Sequence, residues 1–570
     1  MVSKKMQKTI TTIACLLVTT ASGSVLAKPQ GQPKLVLQIT VDALRGDLPT
    51  RFLGKMEKGG FRYLLEEGVV YNNAHYQHAN TETIVGHSSL ATGAPPSVHG
   101  MVGNVWFDRK LDRVVYNIED EDYHLLGSGG VDKNTEIDST QKAAKGDGRS
   151  PLPLLSSTLS DEIYTAFNGK SKVFGVSVKD RAAVSLAGQY GKALWFSKST
   201  KQFVSSDYYY KNYPEWVNNW NQLNKADKFG QQSWSLMFEE QDYLFSNEKQ
   251  VDYKTDLAGF GQRFPHPYGK ASGKYFGTLL TLSPAGDELT LDFAKTLIEQ
   301  EKMGQNSVPD YLSVSFSSTD YVIHMFGPSS LEAEDNILRL DRTLAELFRY
   351  VDATVGLDNT LIVLSADHGA ADAPGYLNEL GAKKPKYFDE KLMADAGIYK
   401  VLEQKFGVGK ALVKLYSKPY IYLDHKVIKS NKLKLEDVQA VLAKEIEKIS
   451  GVEYAVTTED VKHGRLDDQR VLRLVANNFN KQRSGDIHIV FSPNTFINDF
   501  DGLKVASTHG SPWSYDTHVP IIFAGMDIDD EQVSRAVTPY DIAPTIANYL
   551  GITQPTGTTG EVLKEVVTDD

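Results

Sequence analysis

Asp320-Tyr321-Val322-Ile323-His324 sets a carboxylate and an imidazole four residues apart. On a helical turn that spacing projects both side chains from one face, at a separation one metal ion can bridge. Such a pair is common on its own. So is Asp367-His368-Gly369, whose ordinary role after a buried strand is a solvated turn with glycine at the bend. What separates a ligand set from chance is their occurrence together with Asp42, at the end of another apolar run, and with Ser507-Thr508-His509-Gly510-Ser511 near the C-terminus. The donors are nitrogen and oxygen without thiolate, which suits Zn²⁺ and argues against a closed structural zinc site; manganese and iron also take such ligands.

Two further clusters carry chemistry. Asn80-Thr81-Glu82-Thr83-Ile84-Val85-Gly86-His87-Ser88-Ser89-Leu90-Ala91-Thr92-Gly93 has the small and apolar residues of a helix that begins near Glu82 and stops at Gly93. A helix N-terminus favours an anion. Thr83 falls in its first turn, where the hydroxyl can face both a metal and an electrophile; Thr81 is the competing hydroxyl, with an N-cap as its ordinary role. His87, one turn beyond Thr83, reads as a packed structural histidine, and His99 as a residue that fixes a loop. Lys179-Asp180-Arg181 follows a predicted strand, and in extended chain the period of two puts both cations on one side. An isolated Lys-x-Arg is usually a solvated turn.

Buried strands are needed to hold these residues. Leu35 to Val41 precedes Asp42, Val173 to Val178 precedes Lys179, Leu312 to Phe316 precedes Asp320, and Leu361 to Leu364 precedes Asp367. Helical patterns, including Leu291 to Ile298 and Leu331 to Val351, alternate with them, as in an α/β fold with a largely parallel central sheet flanked by helices. Ligands then sit beyond the carboxyl ends of the strands, so Asp42, Lys179, Asp320 and Asp367 share one rim. Two tracts interrupt the rhythm. Residues from about 188 to 275 are rich in aromatics such as Tyr209, Trp216, Trp220 and Trp234, and read as a cap insertion whose rings chiefly pack it onto the body. Residues from about 371 to 485, with a helix from Leu435 to Ile449, read as a small α/β subdomain. The chain is expected to return to the sheet with Ile487 to Phe491 and Val519 to Phe523, and to close on a helix around Ala543 to Leu550, with Gly551 as its stop.

Ahead of this body, Lys4, Lys5 and Lys8 precede an apolar stretch ending at Val25-Leu26-Ala27, the pattern of a signal peptide cleaved after residue 27. The stretch, broken by Thr19, Thr20, Ser22, Gly23 and Ser24, falls short of the roughly 20 apolar residues a membrane span requires. The sole cysteine, Cys15, lies inside it, so the exported chain from 28 to 570 would fold without disulfides. The formal charge of −11, with no long basic run, argues against nucleic acid as a partner. An anionic small molecule must therefore be drawn in by local charge, such as bound metal ions.

Val41-Asp42, the Asn80 to His87 stretch, Asp320 with His324, Ala366-Asp367-His368-Gly369 and Thr508-His509-Gly510 resemble, in order, the motifs of the alkaline phosphatase superfamily. The resemblance is closest to the branch shared by nucleotide pyrophosphatase/phosphodiesterases and the phosphate-irrepressible alkaline phosphatases of bacterial periplasms. Tyr540 to Thr545 with Leu550-Gly551-Ile552 looks like that family's closing helix, so the likeness spans about 34 to 552. It implies two Zn²⁺ per chain. Asp320, His324 and His509 would hold one, and Asp42, Asp367, His368 and the Thr83 oxygen the other, with Thr83 as the nucleophile of a phosphothreonine intermediate. It also gives a purpose to Lys179 and Arg181, since the phosphate-irrepressible enzymes carry such a pair after a core strand, together with an asparagine at the place of Asn104. A monoester offers more unesterified oxygens and more negative charge than a diester, so two added cations favour phosphate monoesters as substrates.

The competing activity is a phosphodiesterase or nucleotide pyrophosphatase built on the same site. A sulfatase is disfavoured because no Cys-x-Pro-x-Arg-type motif is present. An inactive exported binding protein is disfavoured because all six protein ligands and the nucleophile are retained. An export signal leaves a periplasmic and a secreted destination both open, and the sequence does not specify an oligomeric state.

Overall fold

The computed structural model describes residues 31–249, 251–394 and 396–567. The predicted signal peptide, with Cys15, lies outside the described residues. No helix among the described residues is long and apolar enough to cross a membrane.

Nine strands form the main sheet: β1 (Leu35–Val41), β2 (Val69–Tyr71), β3 (Val173–Ser177), β4 (Lys192–Ser197), β5 (Gln202–Val204), β6 (Asp310–Phe316), β7 (Thr360–Ser365), β8 (Ile521–Gly525) and β9 (Glu531–Val533). They lie in the order β9-β2-β8-β7-β1-β6-β3-β4-β5. The central strands β7, β1, β6, β3 and β4 are parallel, and apart from Lys192 every residue in them is buried. Burial on both faces suits the continuous apolar run of β7, whereas β1 and β6 alternate, with Gln38 and Thr40 and with Ser313 and Ser315 buried between their apolar residues.

Six helices matter most for the site: α1 (Thr83–Thr92), α2 (Asp180–Ala187), α3 (Pro284–Gln300), α4 (Ser318–Phe326), α5 (Leu331–Thr354) and α6 (Ile542–Tyr549). Leu35, Leu37, Ile39 and Val41 of β1 enter a core shared with α3, α4 and α5. Val36 points the other way, into a second core with Leu90 of α1 and Ile542 and Ile546 of α6. The twofold side-chain period of a strand thus ties one helical layer to each face.

The parallel strands deliver Asp42, Lys179, Asp320 and Asp367 to one edge of the sheet. Two antiparallel pairings bring the remaining segments there. β8 runs against β7 with Ile521 opposite Ser365, so the segment carrying His509 arrives at the same edge before β8 begins. β2 pairs antiparallel with β8 through Tyr71 and Ile521, so the chain leaves β2 at that edge on its way to Thr83.

One expectation is overturned. Ile487–Phe491 does not return to the main sheet; it joins an antiparallel sheet with Val413–Ser417, Tyr420–Leu423 and Val452–Thr457. Its apolar side chains Ile487, Ile489 and Phe491 fill a separate core with Leu442 and Ile446 of helix Leu435–Ile446.

The aromatic tract between β5 and α3 is anchored to the body by its polar handles. The Trp216, Trp220 and Trp234 indoles donate to Glu301, Asp292 and Asp335 at 2.8, 2.7 and 2.6 Å. Asp335 of α5 also accepts from the Tyr243 hydroxyl, the Met237 backbone N–H and Arg339. Removing that carboxylate would leave buried donors unsatisfied. Asp335→Ala is therefore expected to lower the free energy of unfolding by about 3 kcal/mol, read from urea denaturation, with Asp335→Asn intermediate.

Candidate active site

All ten residues singled out in the sequence as catalytic, ligating or substrate-binding lie buried at this edge. Thr83 is the first residue of α1, and Gly93 closes the helix in the left-handed conformation, φ 65°. Gly86 lets α1 approach the Asp367 loop, since a Cβ there would stand 1.9 Å from the Asp367 carbonyl oxygen. Thr81 is not the N-cap, because Glu82 occupies that position. The Thr81 hydroxyl instead accepts the Gly510 and Ser511 N–H groups and donates to the Ser511 carbonyl, fixing the loop that carries His509.

The acidic and imidazole groups form two triads. Asp320 Oδ1 lies 3.3 Å from His324 Nε2 and 3.4 Å from His509 Nε2. His368 Nε2 lies 3.5 Å from Asp42 Oδ1 and 3.2 Å from Asp367 Oδ2. The rings of His368 and His509 stack at 3.6 Å, so the triads share a wall, and His368 also comes within ligand range of Asp320 and His509.

Each of these imidazoles is oriented by a backbone carbonyl. His324 Nδ1 donates to Ser507, His509 Nδ1 to Thr81 and His368 Nδ1 to Gly369, at 2.9, 2.7 and 2.9 Å. An imidazole that donates through Nδ1 presents the lone pair of Nε2, which is the arrangement ligating histidines adopt. Asp42 Oδ1, Asp320 Oδ1, Asp367 Oδ2 and His368 Nε2 are buried without a well-directed hydrogen bond. Buried polar atoms are normally satisfied, and here the orphans converge on two points with a hard and borderline donor set. The residues therefore fit a divalent cation at each point. His87 also approaches Asp367, at 3.2 Å, but its Nδ1 is 2.9 Å from the Thr83 carbonyl and its Nε2 is 2.9 Å from the Ser315 hydroxyl. With both nitrogens engaged, His87 braces α1 and the Asp367 carboxylate.

Concentrated charge perturbs the acids and bases. Burial, reinforced by Asp367, pushes the Asp42 carboxyl up to about 7. Burial disfavours the charged His368 ring, but Asp367 and Asp42 outweigh it and hold its pKa up at about 9. Burial also opposes the Lys179 ammonium, yet Asp320 and Asp42 hold its pKa above the ordinary lysine range. Lys179 Nζ bridges Asp42 Oδ2 at 2.9 Å and Asp320 Oδ2 at 2.5 Å, linking one carboxylate of each triad.

The Lys-x-Arg pair is not extended. Lys179 caps α2 and Arg181 sits in its first turn, yet both reach the nucleophile candidate. Arg181 Nη2 donates to Thr83 Oγ1 at 3.2 Å, and Lys179 Nζ lies 3.5 Å from the same oxygen. Asn104 Oδ1 accepts the Ile84 N–H at 3.1 Å, and that orientation leaves Nδ2 available to donate.

Several supporting residues had no counterpart in the sequence reading. Asp138 pairs with Arg181 Nη1 at 2.7 Å. Glu82 accepts the Asn104 N–H at 2.6 Å, and Lys418 donates to the His509 carbonyl at 2.9 Å. Asp138 caps a short helix through Thr140, the only local sign it gives, and nothing in that pattern points to an arginine 43 residues later.

Comparison with known proteins places the chain among phosphoesterases by sequence and fold. The family described as type I phosphodiesterase / nucleotide pyrophosphatase matches residues 36–512. Alkaline phosphatase PafA of Elizabethkingia meningoseptica is 34% identical, covering 97% of this chain and 98% of its own. A protein of Myroides odoratus named a calcium-transporting ATPase is 33% identical, covering 98% of each chain. Alkaline phosphatase PhoV of Synechococcus elongatus is 32% identical, covering 95% of this chain and 94% of its own. The crystal structure of PafA superposes with a TM-score of 0.83 at 33% identity, covering 94% of this chain and 99% of that one. A PafA variant substituted at a threonine, an asparagine, a lysine and an arginine has also been solved, and superposes with a TM-score of 0.85. With matches of this extent, the chain belongs to the type I phosphodiesterase / nucleotide pyrophosphatase family.

Proposed function

We propose that this chain is a metal-dependent alkaline phosphatase that hydrolyses phosphate monoesters through Thr83. The observation that carries the reading is the convergence of Arg181 and Lys179 on the Thr83 hydroxyl within the acidic and imidazole site. Two cations beside the nucleophile match the charge of a monoester dianion better than that of a diester monoanion. The relatives named as alkaline phosphatases support it, as does the solved variant in which the same four residue types were substituted.

Asp320, His324 and His509 would hold one Zn²⁺, and Asp42, Asp367 and His368, with Thr83 Oγ1, the other. When bound, such ions supply positive charge for the attacking and departing oxygens of an in-line displacement. Thr83 Oγ1 attacks phosphorus, the phosphorus–ester bond breaks, and the alcohol leaves on the opposite side with a proton. Arg181, Lys179 and the Asn104 amide hold the non-bridging oxygens, while α1 directs its N-terminus at the anion. Water then attacks the phosphothreonine from the side the alcohol vacated, freeing inorganic phosphate and restoring the Thr83 hydroxyl. Holding the reactants in line is the chief contribution of these side chains. The N-terminal pattern supports export to the periplasm or the medium.

Chelation tests the metal requirement. Dialysis against EDTA is expected to abolish hydrolysis of p-nitrophenyl phosphate and to lower Tm, because buried carboxylates lose their counter-charge; zinc should restore both. Elemental analysis is expected to give two zinc ions per restored chain. Full turnover by metal-free protein would contradict the reading.

The family description raises a diesterase as the second reading. It shares the metals and nucleophile but predicts no preference for the doubly charged substrate.

A further inference from the structure

A cavity of about 200 Å³ opens at the rim, its lining including Asn104, Arg181, Asp320, His324 and His509. Arg181 touches the Thr83 hydroxyl, so a phosphoryl group bound there has this cavity as its outlet. In-line attack by Thr83 sends the leaving oxygen away from Thr83, toward the Asp320, His324 and His509 wall. The leaving alcohol must therefore occupy the cavity. Ile137, Met325, Ile497 and Phe500 form an apolar part of its lining, beside Ser139, Thr140, Glu390, Ser417, Lys418 and Thr508. Three of the carboxylates in its lining are already engaged. Glu82 accepts the Asn104 N–H, Asp138 pairs with Arg181, and Asp499 pairs with Lys504.

Of the two aromatic residues in the lining, Tyr321 and Phe500, it is Phe500 that packs on the His324 ring. Their rings meet edge to face, with centroids 5.0 Å apart at 67°. The ring is held there by a built support. Asp499–Phe500 pairs with Leu503–Lys504 in a hairpin, whose turn residues Asp501 and Gly502 both have positive φ, 56° and 92°. On one side the chain after the hairpin is tied to the site, since the Ala506 N–H donates to the His324 carbonyl at 2.8 Å. On the other, Thr255 bridges the hairpin and α4, its N–H donating to Met325 O at 2.8 Å and its hydroxyl to Lys504 O at 2.7 Å.

We infer that Phe500 is a specificity-determining residue, and that the preferred substrates are phosphate monoesters of aromatic or similarly flat, apolar alcohols. The inference rests on the monoesterase reading above. A cavity of this size, below the roughly 300–1,000 Å³ of pockets for drug-sized ligands and shared with the phosphoryl group, leaves room for a small leaving group only.

The test compares kcat/KM for phenyl phosphate with that for ethyl phosphate, in wild type and in Phe500→Ala. Taking the ratio between the two proteins cancels the different reactivities of phenol and ethanol as leaving groups. Removal of the ring is expected to lower the aryl-to-alkyl ratio about fivefold and to weaken inhibition by phenylphosphonate to a similar degree. Inhibition by inorganic phosphate should change much less, because the Phe500 ring packs on His324 while the phosphoryl oxygens are held by Arg181, Lys179 and Asn104. Phe500→Tyr should retain the wild-type ratio, and Phe500→Leu, which keeps bulk without a ring, should lose it; the leucine variant also decides the matter if the alanine variant folds poorly. A wild type that prefers phenyl phosphate to bis-p-nitrophenyl phosphate, but whose aryl-to-alkyl ratio and phenylphosphonate inhibition survive the loss of Phe500, would overturn this inference alone. A wild type that prefers the diester would overturn the monoesterase reading, and this one with it.

Discussion

Thr83→Ala is expected to lower kcat for p-nitrophenyl phosphate by at least about 10⁴-fold, the scale on which an enzyme loses rate when its nucleophile is removed. The variant should keep its fold and its capacity to bind metal, since six other side chains would supply the ligating atoms in the proposed site and the alanine methyl fits the space left by Thr83. Thr83→Ser should retain measurable turnover, because it restores the oxygen. Stopped assays with circular dichroism and elemental analysis of the same preparations separate loss of chemistry from loss of structure. Activity of Thr83→Ala within tenfold of wild type would remove Thr83 from the mechanism. The nearby alternative, Thr81, is already committed to the Gly510 and Ser511 backbone and could not take its place without releasing the His509 loop.

The second large effect concerns Arg181. Its guanidinium is buried, pairs with Asp138 and reaches Thr83 Oγ1. Substitution by alanine removes charge-assisted hydrogen bonds to the phosphoryl oxygens, a loss of about 3 kcal/mol or roughly a hundredfold in kcat/KM for a monoester. A diester carries one negative charge fewer, so the same substitution should reduce its hydrolysis much less and narrow the preference between the two classes. Arg181→Lys should recover only part of the loss, because a point charge cannot bond Asp138 and phosphate in the same planar fork. Equal losses for both substrate classes would mean that Arg181 supports the site without selecting its substrate.

The layout of the fold was largely readable because its central strands are buried on both faces. Short runs rich in apolar residues announced β1, β3, β6 and β7, and the ionisable residue past each one marked the rim. Where an apolar strand pairs was a different matter. Ile487–Phe491 has the same local character as β7 but joins the second sheet, a choice made by partners far away in sequence, Ile421 and Ala455 among them. Lys179-Asp180-Arg181 was misread as extended because the strand signal ran up to it, although Ala182, Ala183, Val184 and Leu186 carry the apolar face of the helix that begins there. Two cations can reach one oxygen from a helix start as well as from a strand, so the proposal that they bind phosphate does not depend on an extended segment.

The site was legible at the level of residue type but not of support. Asp, His and Thr with ordered spacing pointed to metal and nucleophile. The carbonyls of Ser507, Thr81 and Gly369, which set the imidazole tautomers, leave no trace in side-chain identity. Asp138 and Lys418 were likewise invisible, because a partner brought in by tertiary folding has no fixed spacing from the residue it holds. The antiparallel course of β8, which carries the His509 segment to the rim, depends on strand pairing and has no local signature.

The central claim is that this site is built for phosphate monoesters. The most direct test is the ratio of kcat/KM for p-nitrophenyl phosphate to that for bis-p-nitrophenyl phosphate, measured on the zinc-loaded wild-type enzyme. A large monoester preference that shrinks on removal of Arg181 is the expected result. A preference for the diester would contradict it and assign the same nucleophile and ligands to a phosphodiesterase.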